Sequence, residues 1–306
     1  MSSDRVSHPE AATDTSGTAL QKNIAKNIVI TGCSSGFGRL SALEMARRGW
    51  HVFATVRKPA DQEDLLAEAT RQGCASQFTI LLCDITDEQQ VSTLAQQVQE
   101  HLGTYPHLHA LLNNAGTAYG APLEILPIQD LRSQIEVNAI AHLAVTQAFL
   151  PLLKPAHGTI INISSIAGRF SSPITGAYSA SKYALEALSD ALRFELRPFG
   201  VRVVLIEPAS SPTDIWETSM ERSRWLDSHK GGSYGKLINT FEKLAVRSSH
   251  KGFPPQLVAD TVARILEGEK PRARYVIPRS ASALTLARRL LPDSAWDFVL
   301  HCVLRW

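Results

Sequence analysis

Short apolar, β-branched runs alternate with helical patterns along most of the chain, and this alternation limits the possible folds more than any other feature. Helical segments end at glycines such as Gly49 and Gly73, which is typical of helix C-termini. Strands that are apolar throughout indicate a parallel sheet buried on both faces. The sequence therefore predicts an α/β fold with a doubly wound parallel sheet and helices on both faces, with strands at 28–30, 51–56, 78–83, 110–112, 159–163 and 201–206.

Composition and charge exclude several classes of protein. Of the 306 residues, 44% are hydrophobic, which is too apolar for a disordered chain, and the formal net charge is only +2. So small a charge gives no electrostatic footprint for nucleic acid. The four cysteines form no C-x-x-C pair, and His107 and His109 lack a convergent third ligand, so we expect no metal site.

The chain is expected to be cytoplasmic, with three regions. Residues 1–25 are polar, lack the apolar core of a secretory signal and are predicted to be a disordered tail. The longest apolar stretch, 140–153, contains polar residues and is too short for a membrane span. A single domain is predicted over 26–280, followed by a helical extension over 281–306.

A glycine-rich turn follows the first predicted strand and precedes a helix. The pattern G-x-x-x-G-x-G allows close approach of a diphosphate, and the helix N-terminus supplies free N–H groups and a favourable dipole. Such a turn can also be an ordinary strand–helix connection, but its position favours dinucleotide binding. The candidate cofactor residues here are Gly32, Ser34, Ser35, Gly36, Phe37 and Gly38.

Three further strand ends carry candidate cofactor residues. Arg57 follows the second strand where NAD sites usually carry an acid, so it favours NADP(H), with NAD(H) still open; the alternative is a solvated loop cation. Asp84 and Ile85 follow the third strand and could border an adenine, or the aspartate could cap a helix. Asn114, Ala115 and Gly116 follow the fourth strand, either beside the cofactor or in an ordinary asparagine-rich turn.

The strongest combination follows the fifth strand. Tyr178 and Lys182 are four residues apart and share one helix face, and Ser165 lies at the preceding strand end. A neighbouring ammonium stabilises phenolate, so we expect Lys182 to lower the pKa of Tyr178. Tyr178 can then exchange a proton with an alcohol oxygen that Ser165 polarises.

Taken in order, these motifs resemble the short-chain dehydrogenase/reductase family over residues 28–213, in particular its 17β-hydroxysteroid and retinol dehydrogenase branch. The resemblance implies a single Rossmann-type domain that holds both cofactor and substrate. It implies that Tyr178 is the catalytic acid/base, that Lys182 holds the nicotinamide ribose and that Ser165 orients the substrate. Asn138 matches the family asparagine that positions a water in the proton relay.

One segment departs from the family pattern. After the sixth strand the family usually has Pro-Gly and then a threonine that contacts the nicotinamide. Here Pro208 and Thr213 keep the spacing, but Ala209 replaces the glycine and restricts the backbone. Both Pro208 and Thr213 are retained as candidate cofactor residues.

The C-terminal third suggests further surfaces. Residues 212–252 correspond to a small helical substrate lid in the family. The last helix is amphipathic: it could lie on a membrane surface, but docking on the protein body is favoured. On the Tyr178 helix, a row of leucines is expected to face the core. A row of alanines would permit close approach of another helix, so the chain is expected to form a homodimer or homotetramer, although both rows could also be buried within one chain.

The sequence thus predicts an NADP-preferring oxidoreductase that interconverts an alcohol and a ketone or aldehyde. The resemblance implies a small hydrophobic substrate that is steroid-, retinoid- or lipid-like. One alternative is a non-catalytic dinucleotide sensor, against which the intact Tyr178 and Lys182 argue. The other is an epimerase or dehydratase on the same fold, against which the short C-terminal third argues.

Overall fold

The first strand lies inside a parallel sheet, at the point where the strand order reverses. The computed structural model describes residues 26–104, 107–212, 215–304 and 306. Within these residues seven parallel strands follow the order β3-β2-β1-β4-β5-β6-β7. They are β1 (Asn27–Ile30), β2 (His51–Val56), β3 (Phe78–Leu82), β4 (Ala110–Asn113), β5 (Thr159–Ile163), β6 (Arg202–Pro208) and β7 (Arg274–Ile277).

Helices cover both faces of this sheet, as predicted. One face is covered by α1 (Gly36–Arg47), α2 (Pro59–Arg71) and α9 (Gln256–Glu267). The other is covered by α3 (Glu88–Leu102), α5 (Ala141–Leu153) and α6 (Gly176–Glu195). The doubly wound α/β fold predicted from the sequence is therefore confirmed.

The alternation of side chains along β1 explains the two cores. Ile28 and Ile30 pack with the α1 side, whereas Val29 packs with the α5 side, and all three are fully buried. Successive strand residues point to opposite faces, so an apolar residue is needed at every position. Each such side chain contributes about 1.5–3 kcal/mol when buried.

Local sequence sets the helix starts. The Asp87 carboxylate accepts hydrogen bonds from the backbone N–H groups of Gln89 (2.9 Å) and Gln90 (3.1 Å), which caps α3. Pro59 occupies the first turn of α2, where a missing N–H costs nothing. These caps place the preceding loops at the carboxyl edge of the sheet.

The long helical segment that follows β4 is divided. It consists of α4 (Ile128–Ile135), one π-helical turn (Glu136–Ile140) and α5. Within the described residues, the combined segment 128–153 is long and apolar enough to cross a membrane by composition alone. In the fold it is a core helix, since Val145 and Phe149 are fully buried against the sheet.

The predicted lid and C-terminal extension are largely helical. The helices are α7 (Ile215–Arg222), α8 (Gly235–Lys251), α10 (Ser282–Leu290) and α11 (Asp293–Leu304). Leu304 of α11 packs in a small apolar cluster with Leu226 and Leu237. The extension therefore docks on the protein body, although Phe298 stays 67% exposed. The predicted tail, 1–25, lies outside the described residues.

The two rows on α6 differ in exposure. Leu185 and Leu196 are buried, as the leucine row predicts, while Leu188 and Leu192 are half-buried. The alanine row is largely open to solvent, with Ala180, Ala187 and Ala191 exposed. The homodimer or homotetramer stays a prediction that this exposed row favours.

Candidate functional site

A cavity of about 990 Å³ lies at the carboxyl ends of the strands and contacts the loops that follow β1, β4 and β5. Ligands bind at this edge of doubly wound sheets, beside the reversal of strand order. Sixteen of the predicted site residues line the cavity, namely Gly32, Ser34, Ser35, Gly36, Phe37, Arg57, Asp84, Ile85, Asn114, Ala115, Gly116, Asn138, Ser165, Tyr178, Lys182 and Pro208. Gly38 lies behind this lining, and Thr213 is outside the described residues.

The glycine turn is closely packed against the loop after β4. Gly32 has a φ of +71°, and a Cβ there would lie 2.8 Å from the Cα of Ala115. A Cβ on Gly38 would overlap the Gly32 carbonyl oxygen and the Asn114 amide. Only glycine fits at these two positions. The turn therefore leaves the N-terminus of α1 open to the cavity, which fits the diphosphate of a dinucleotide.

Asn114 holds this turn in place. Its amide nitrogen donates to the carbonyl oxygens of Thr31 (2.9 Å) and Gly32 (3.0 Å), and its backbone N–H donates to the Thr31 hydroxyl (3.0 Å). The side chain thus ties the β1 turn to the β4 turn. Ala115 and Gly116 border the cavity with little side chain between backbone and ligand.

The predicted adenosine end contains Arg57 and Asp84. Arg57 is exposed at the end of β2 and lines the cavity. The Asp84 carboxylate accepts hydrogen bonds from the Thr86 backbone N–H (3.0 Å) and hydroxyl (2.8 Å) while it also borders the cavity. Asp84 therefore fixes a local turn, whereas the N-cap of α3 is Asp87, so Asp84 does not cap the helix. Its place beside an adenine stays a prediction.

Helix α6 carries Tyr178 and Lys182 into the centre of the cavity. The Lys182 ammonium donates a 2.9 Å hydrogen bond to the Ile163 carbonyl oxygen and lies 5.9 Å from the centroid of the Tyr178 ring. Burial lowers the pKa of Lys182 to about 8, while the nearby Glu186 carboxylate acts in the opposite direction. The lysine therefore titrates near neutral pH.

The expected lowering of the Tyr178 pKa is wrong for this arrangement. Burial raises the pKa of Tyr178, and a hydrogen bond with Ser165 only partly opposes this effect. The Lys182 ammonium is directed at Ile163, so desolvation of the phenol dominates. At neutral pH the tyrosine holds its proton and is a donor.

Ser165 caps a short 3₁₀ turn beside the tyrosine. Its hydroxyl oxygen accepts from the Ala167 backbone N–H (3.1 Å), and the hydroxyl lies 3.4 Å from the Pro208 carbonyl oxygen. Ser164 also lines the cavity, but it is buried and Ser165 is the serine that bonds to Tyr178. The geometry therefore favours Ser165 as the group that orients a substrate oxygen.

Asn138 lies in the π-helical turn and is fully buried. Its amide oxygen accepts from the Thr117 backbone N–H (2.9 Å), and its amide nitrogen donates to the Thr117 carbonyl (2.8 Å) and the Ser181 hydroxyl (2.9 Å). The side chain thus connects the loop after β4 to α6. The turn was missed from the sequence, although π-helical turns occur often at functional sites.

The segment at the end of β6 forms part of the cavity wall. Pro208, Ala209 and Ser210 line it, and the Ala209 backbone N–H donates to the Ile277 carbonyl oxygen (2.7 Å). The alanine is therefore accommodated by pairing with β7. The Ser210 hydroxyl is buried with no hydrogen-bond partner in the described part of the chain, so a ligand atom could serve as its partner.

The cavity lining also contains apolar residues that no sequence motif indicated. Its apolar lining includes Phe170, Phe241, Leu300, Val303 and Leu304. The signal for the last three was the apolar face of the final helix, which predicted burial but not what the helix would contact. The C-terminal helix is thus part of the site.

Arg274 on β7 contacts three acidic side chains next to α6. Its Nε lies 3.1 Å from both Glu186 and Glu207, and its Nη2 contacts Asp190. Arg169 lies 3.2 Å from Glu207. Burial, with a smaller contribution from Glu186, raises the pKa of Glu207 to about 7 against the two arginines. This cluster ties the unpredicted edge strand to the helix that carries the tyrosine.

Comparisons with known proteins agree with this geometry. A family model for short chain dehydrogenases matches residues 26–224. The NADPH-dependent 3-dehydrocapnine reductase of Ornithobacterium rhinotracheale is 34% identical over 89% of this chain and 95% of its own length. Human retinol dehydrogenase 5 is 36% identical over 90% of this chain and 88% of its own.

Solved structures support the same assignment. A short-chain dehydrogenase/reductase from Burkholderia phymatum in complex with NAD aligns with a TM-score of 0.73 and 26% identity, over 87% of this chain and 93% of the other. The chain therefore belongs to the short-chain dehydrogenase/reductase family, in its retinol and hydroxysteroid dehydrogenase-like branch, and is an NAD(P)-binding oxidoreductase.

Proposed function

We propose that this protein interconverts an alcohol and a ketone or aldehyde on a hydrophobic, steroid-, retinoid- or lipid-like substrate. The observation that carries the proposal is the meeting of Tyr178, Ser165 and Lys182 in the cavity that the glycine turn opens. The glycine turn and Lys182 would hold a nicotinamide dinucleotide, which when bound would supply or accept the hydride. The chain's own residues place the substrate oxygen and move its proton.

Tyr178 is the proton donor in the direction of carbonyl reduction. Since burial raises its pKa, the hydroxyl is protonated at neutral pH and can donate to an oxygen that gains negative charge. Ser165, which bonds to the same hydroxyl, stabilises that charge by a second hydrogen bond. In the oxidation direction the same proton moves from the alcohol to the tyrosine oxygen.

Lys182 and Asn138 support this exchange. Lys182 is buried beside Gly116, since a Cβ added to Gly116 would lie 4.0 Å from the lysine Nζ. In this proposal the Lys182 ammonium holds the ribose hydroxyls of the cofactor. Asn138 fixes the loop of Thr117 to α6 and keeps the lysine and the cofactor loop in register. Asn138 thereby supports the proton relay that its match to the family predicts.

NADP(H) is the preferred cofactor in this proposal. Arg57 places an exposed guanidinium at the end of β2, where a 2′-phosphate would lie and where NAD enzymes usually carry an acid. The Ornithobacterium relative is NADPH-dependent, which supports this choice, whereas the Burkholderia structure contains NAD. NAD(H) therefore stays the weaker alternative.

The apolar wall supports a hydrophobic substrate. Phe170, Phe241 and Leu300 are large apolar residues that line the cavity. One relative is named a retinol dehydrogenase, which supports a retinoid-like substrate. Apolar pockets bind such molecules through the area that they remove from water.

The test is the Tyr178→Phe variant, assayed with NADPH and a panel of apolar ketones and aldehydes. We expect turnover to fall by about 10²-fold or more, while NADPH binding by fluorescence titration stays unchanged. Tyr183→Phe is the matched control, because Tyr183 lies on the same helix and is 44% exposed. Full activity in Tyr178→Phe would contradict the mechanism. Cofactor binding by the wild-type protein without turnover of any carbonyl would favour a dinucleotide sensor.

A further inference from the structure

The substrate half of the cavity has two chemically different walls. The apolar wall comes from Phe170, Phe241 and helix α11. A polar wall comes from α4, the π-helical turn and α7, through Arg132, Ser133, Glu136, Ser219 and Arg222. An uncharged hydrocarbon would bind poorly against two guanidinium groups, because it would displace their water without replacing the lost hydrogen bonds. The polar wall therefore points to a charged part of the substrate.

Arg222 is held firmly at this wall. One of its terminal nitrogens, Nη1, donates to the Thr117 hydroxyl (2.8 Å) and to the Tyr119 hydroxyl. The guanidinium carbon also lies 5.0 Å from the centroid of the Tyr119 ring. Tyr119 is itself fixed, since its hydroxyl lies 3.4 Å from that of Ser133. An arginine placed by three contacts is preorganised rather than free to move in solvent.

The rest of the Arg222 guanidinium is available to a ligand. Its Nε and Nη2 atoms have no hydrogen-bond partner, and the arginine has no carboxylate in ion-pair range, among the residues that the structure describes. Arg132 nearby also lacks an ion pair there, and Glu136 is the acidic residue of this wall. Among the described residues that line this wall, two guanidinium groups face one carboxylate, so their net charge is positive. A planar guanidinium edge with two free donors matches a carboxylate, sulfonate or phosphate.

The position of Arg222 relates this charge to the reacting centre. Its anchor Thr117 directly follows Gly116 and is bound by Asn138, which also bonds to Ser181 on the catalytic helix. Arg222 is thus tied to the loop beside Tyr178 and not to the glycine turn, where a diphosphate would lie. Gly116, one residue before Thr117, lies beside the Lys182 ammonium, since its added Cβ would be 4.0 Å from Nζ. An anion held by Arg222 would therefore belong to the substrate.

We propose that Arg222, seated on Thr117 and Tyr119, binds an anionic group of the substrate. The substrate is then an amphiphile with an apolar tail along α11 and a carboxylate, sulfonate or phosphate near its carbonyl. This inference rests on the proposed oxidoreductase function and narrows its substrate class.

The first test measures binding without turnover. Decanoate and decan-1-ol are titrated calorimetrically into the NADPH-loaded protein, and we expect the anion to bind at least about tenfold more tightly. Arg222→Gln should abolish that preference, and Arg222→Lys should keep part of it, because the charge remains without the planar fork. Arg224→Gln is the matched control, because Arg224 is exposed, pairs with Glu221 and does not line the cavity. Equal binding of acid and alcohol by the wild-type protein would overturn the proposal.

The second test uses a reactive pair, 3-oxodecanoate and its methyl ester. We expect Arg222→Gln to lower kcat/KM for the acid by about 10- to 100-fold and to leave the ester nearly unchanged. Equal losses for both substrates, together with weaker NADPH binding, would assign Arg222 to the cofactor phosphates and refute the proposal. Turnover of both substrates without any effect of the substitution would refute it as well.

The two tests separate the anion site from the reaction. If decanoate binding depends on Arg222 but neither ketone is reduced, the anion site stands and the proposed reaction on such ketones fails. If the ester is reduced as well as the acid and decanoate shows no preference, the reaction stands and the anion site fails.

Discussion

The Lys182 ammonium donates a 2.9 Å hydrogen bond to the carbonyl oxygen of Ile163, which joins the catalytic helix to the end of strand β5. This single contact keeps a cation 4% exposed beside the cavity. Because the ammonium has exchanged most of its water for one carbonyl, its proton is held weakly. The charge that we propose to hold the cofactor ribose therefore depends on pH within the range of ordinary assays.

NADPH affinity should decrease above pH 8. Burial lowers the pKa of Lys182 from 10.5 to about 8, so above that pH binding through the ammonium requires uptake of a proton. We expect the NADPH dissociation constant, from fluorescence titration, to rise with a limiting slope of about tenfold per pH unit. Lys182→Met should bind more weakly and lose this slope, and a wild-type affinity that is flat up to pH 10 would contradict the prediction.

The lowered pKa of Lys182 also makes the free energy of unfolding depend on pH. The unfolded chain keeps the lysine proton up to about pH 10.5, whereas the folded chain releases it near pH 8. Between these values the unfolded state binds more protons, so the contribution of Lys182 to the free energy of unfolding increases as pH rises. As pH falls through the window, the cost of burying the charge returns in full. Urea unfolding of wild type and Lys182→Met across this range measures the difference.

Glu186→Gln should move the alkaline limit of NADPH binding to lower pH. The Glu186 carboxylate raises the pKa of Lys182 against desolvation, so its loss makes the ammonium deprotonate earlier. His142 on α5, with a pKa lowered to about 3 by burial, is neutral in this range and does not compensate. The matched control is Asp190→Asn, which also removes an acidic contact of Arg274. Equal pH profiles for the two variants would show that Glu186 acts only as a structural partner.

Gly38→Ala should weaken both the fold and cofactor binding. Its Cβ would overlap the Gly32 carbonyl and the Asn114 amide, so the turn must move, at a cost of about 1–3 kcal/mol. Gly49→Ala is the control: Gly49 has a φ of +80° but open space around it, so the cost is about 1–2 kcal/mol of backbone strain without displacement of the cavity wall. NADPH titration should separate the variants, and unchanged affinity in Gly38→Ala would refute the role of the turn.

Arg57→Glu should reverse the proposed preference for NADP(H) over NAD(H). The substitution places a carboxylate where a 2′-phosphate would lie, and we expect NADPH affinity to fall by about tenfold or more while NADH affinity is unchanged or improved. Lys58→Glu makes the same charge change at the next residue, which is exposed but does not line the cavity. Parallel losses for NADPH and NADH in both variants would indicate only a general electrostatic effect.

Sequence patterns were sufficient for six of the seven strands and for most of the loops that line the cavity, because both depend on local signals. The strands 51–56 and 159–163 were predicted with the boundaries of β2 and β5, since apolar runs between turn residues mark them. Strand β7 was missed because its four residues, Arg274–Ile277, lie between arginines and a proline. The π-helical turn was missed because Glu136–Ile140 continues the apolar spacing of a regular helix.

The substrate side could not be predicted because it depends on contacts distant in sequence. Arg222 meets Thr117 from 105 residues away, and no local pattern encodes that pairing. The pKa of Tyr178 was predicted with the wrong sign for a related reason. Helical spacing places an ammonium near a phenol, but only the packed structure shows that the ammonium is directed at a backbone carbonyl and that burial dominates.

Leu304→Ala should both lower the free energy of unfolding and raise KM for long substrates, which tests two roles of the C-terminal helix separately. Leu304 is 6% exposed in the cluster with Leu226 and Leu237, and it also lines the cavity. Removal of its buried side chain should lower the free energy of unfolding by about 2–4 kcal/mol. It should also raise KM for long apolar ketones more than for short ones, because only long substrates reach α11. The control is Phe298→Ala on the same helix, since Phe298 is 67% exposed and borders no part of the cavity. If KM rises equally for short and long substrates, the helix affects the site only through the stability of the fold.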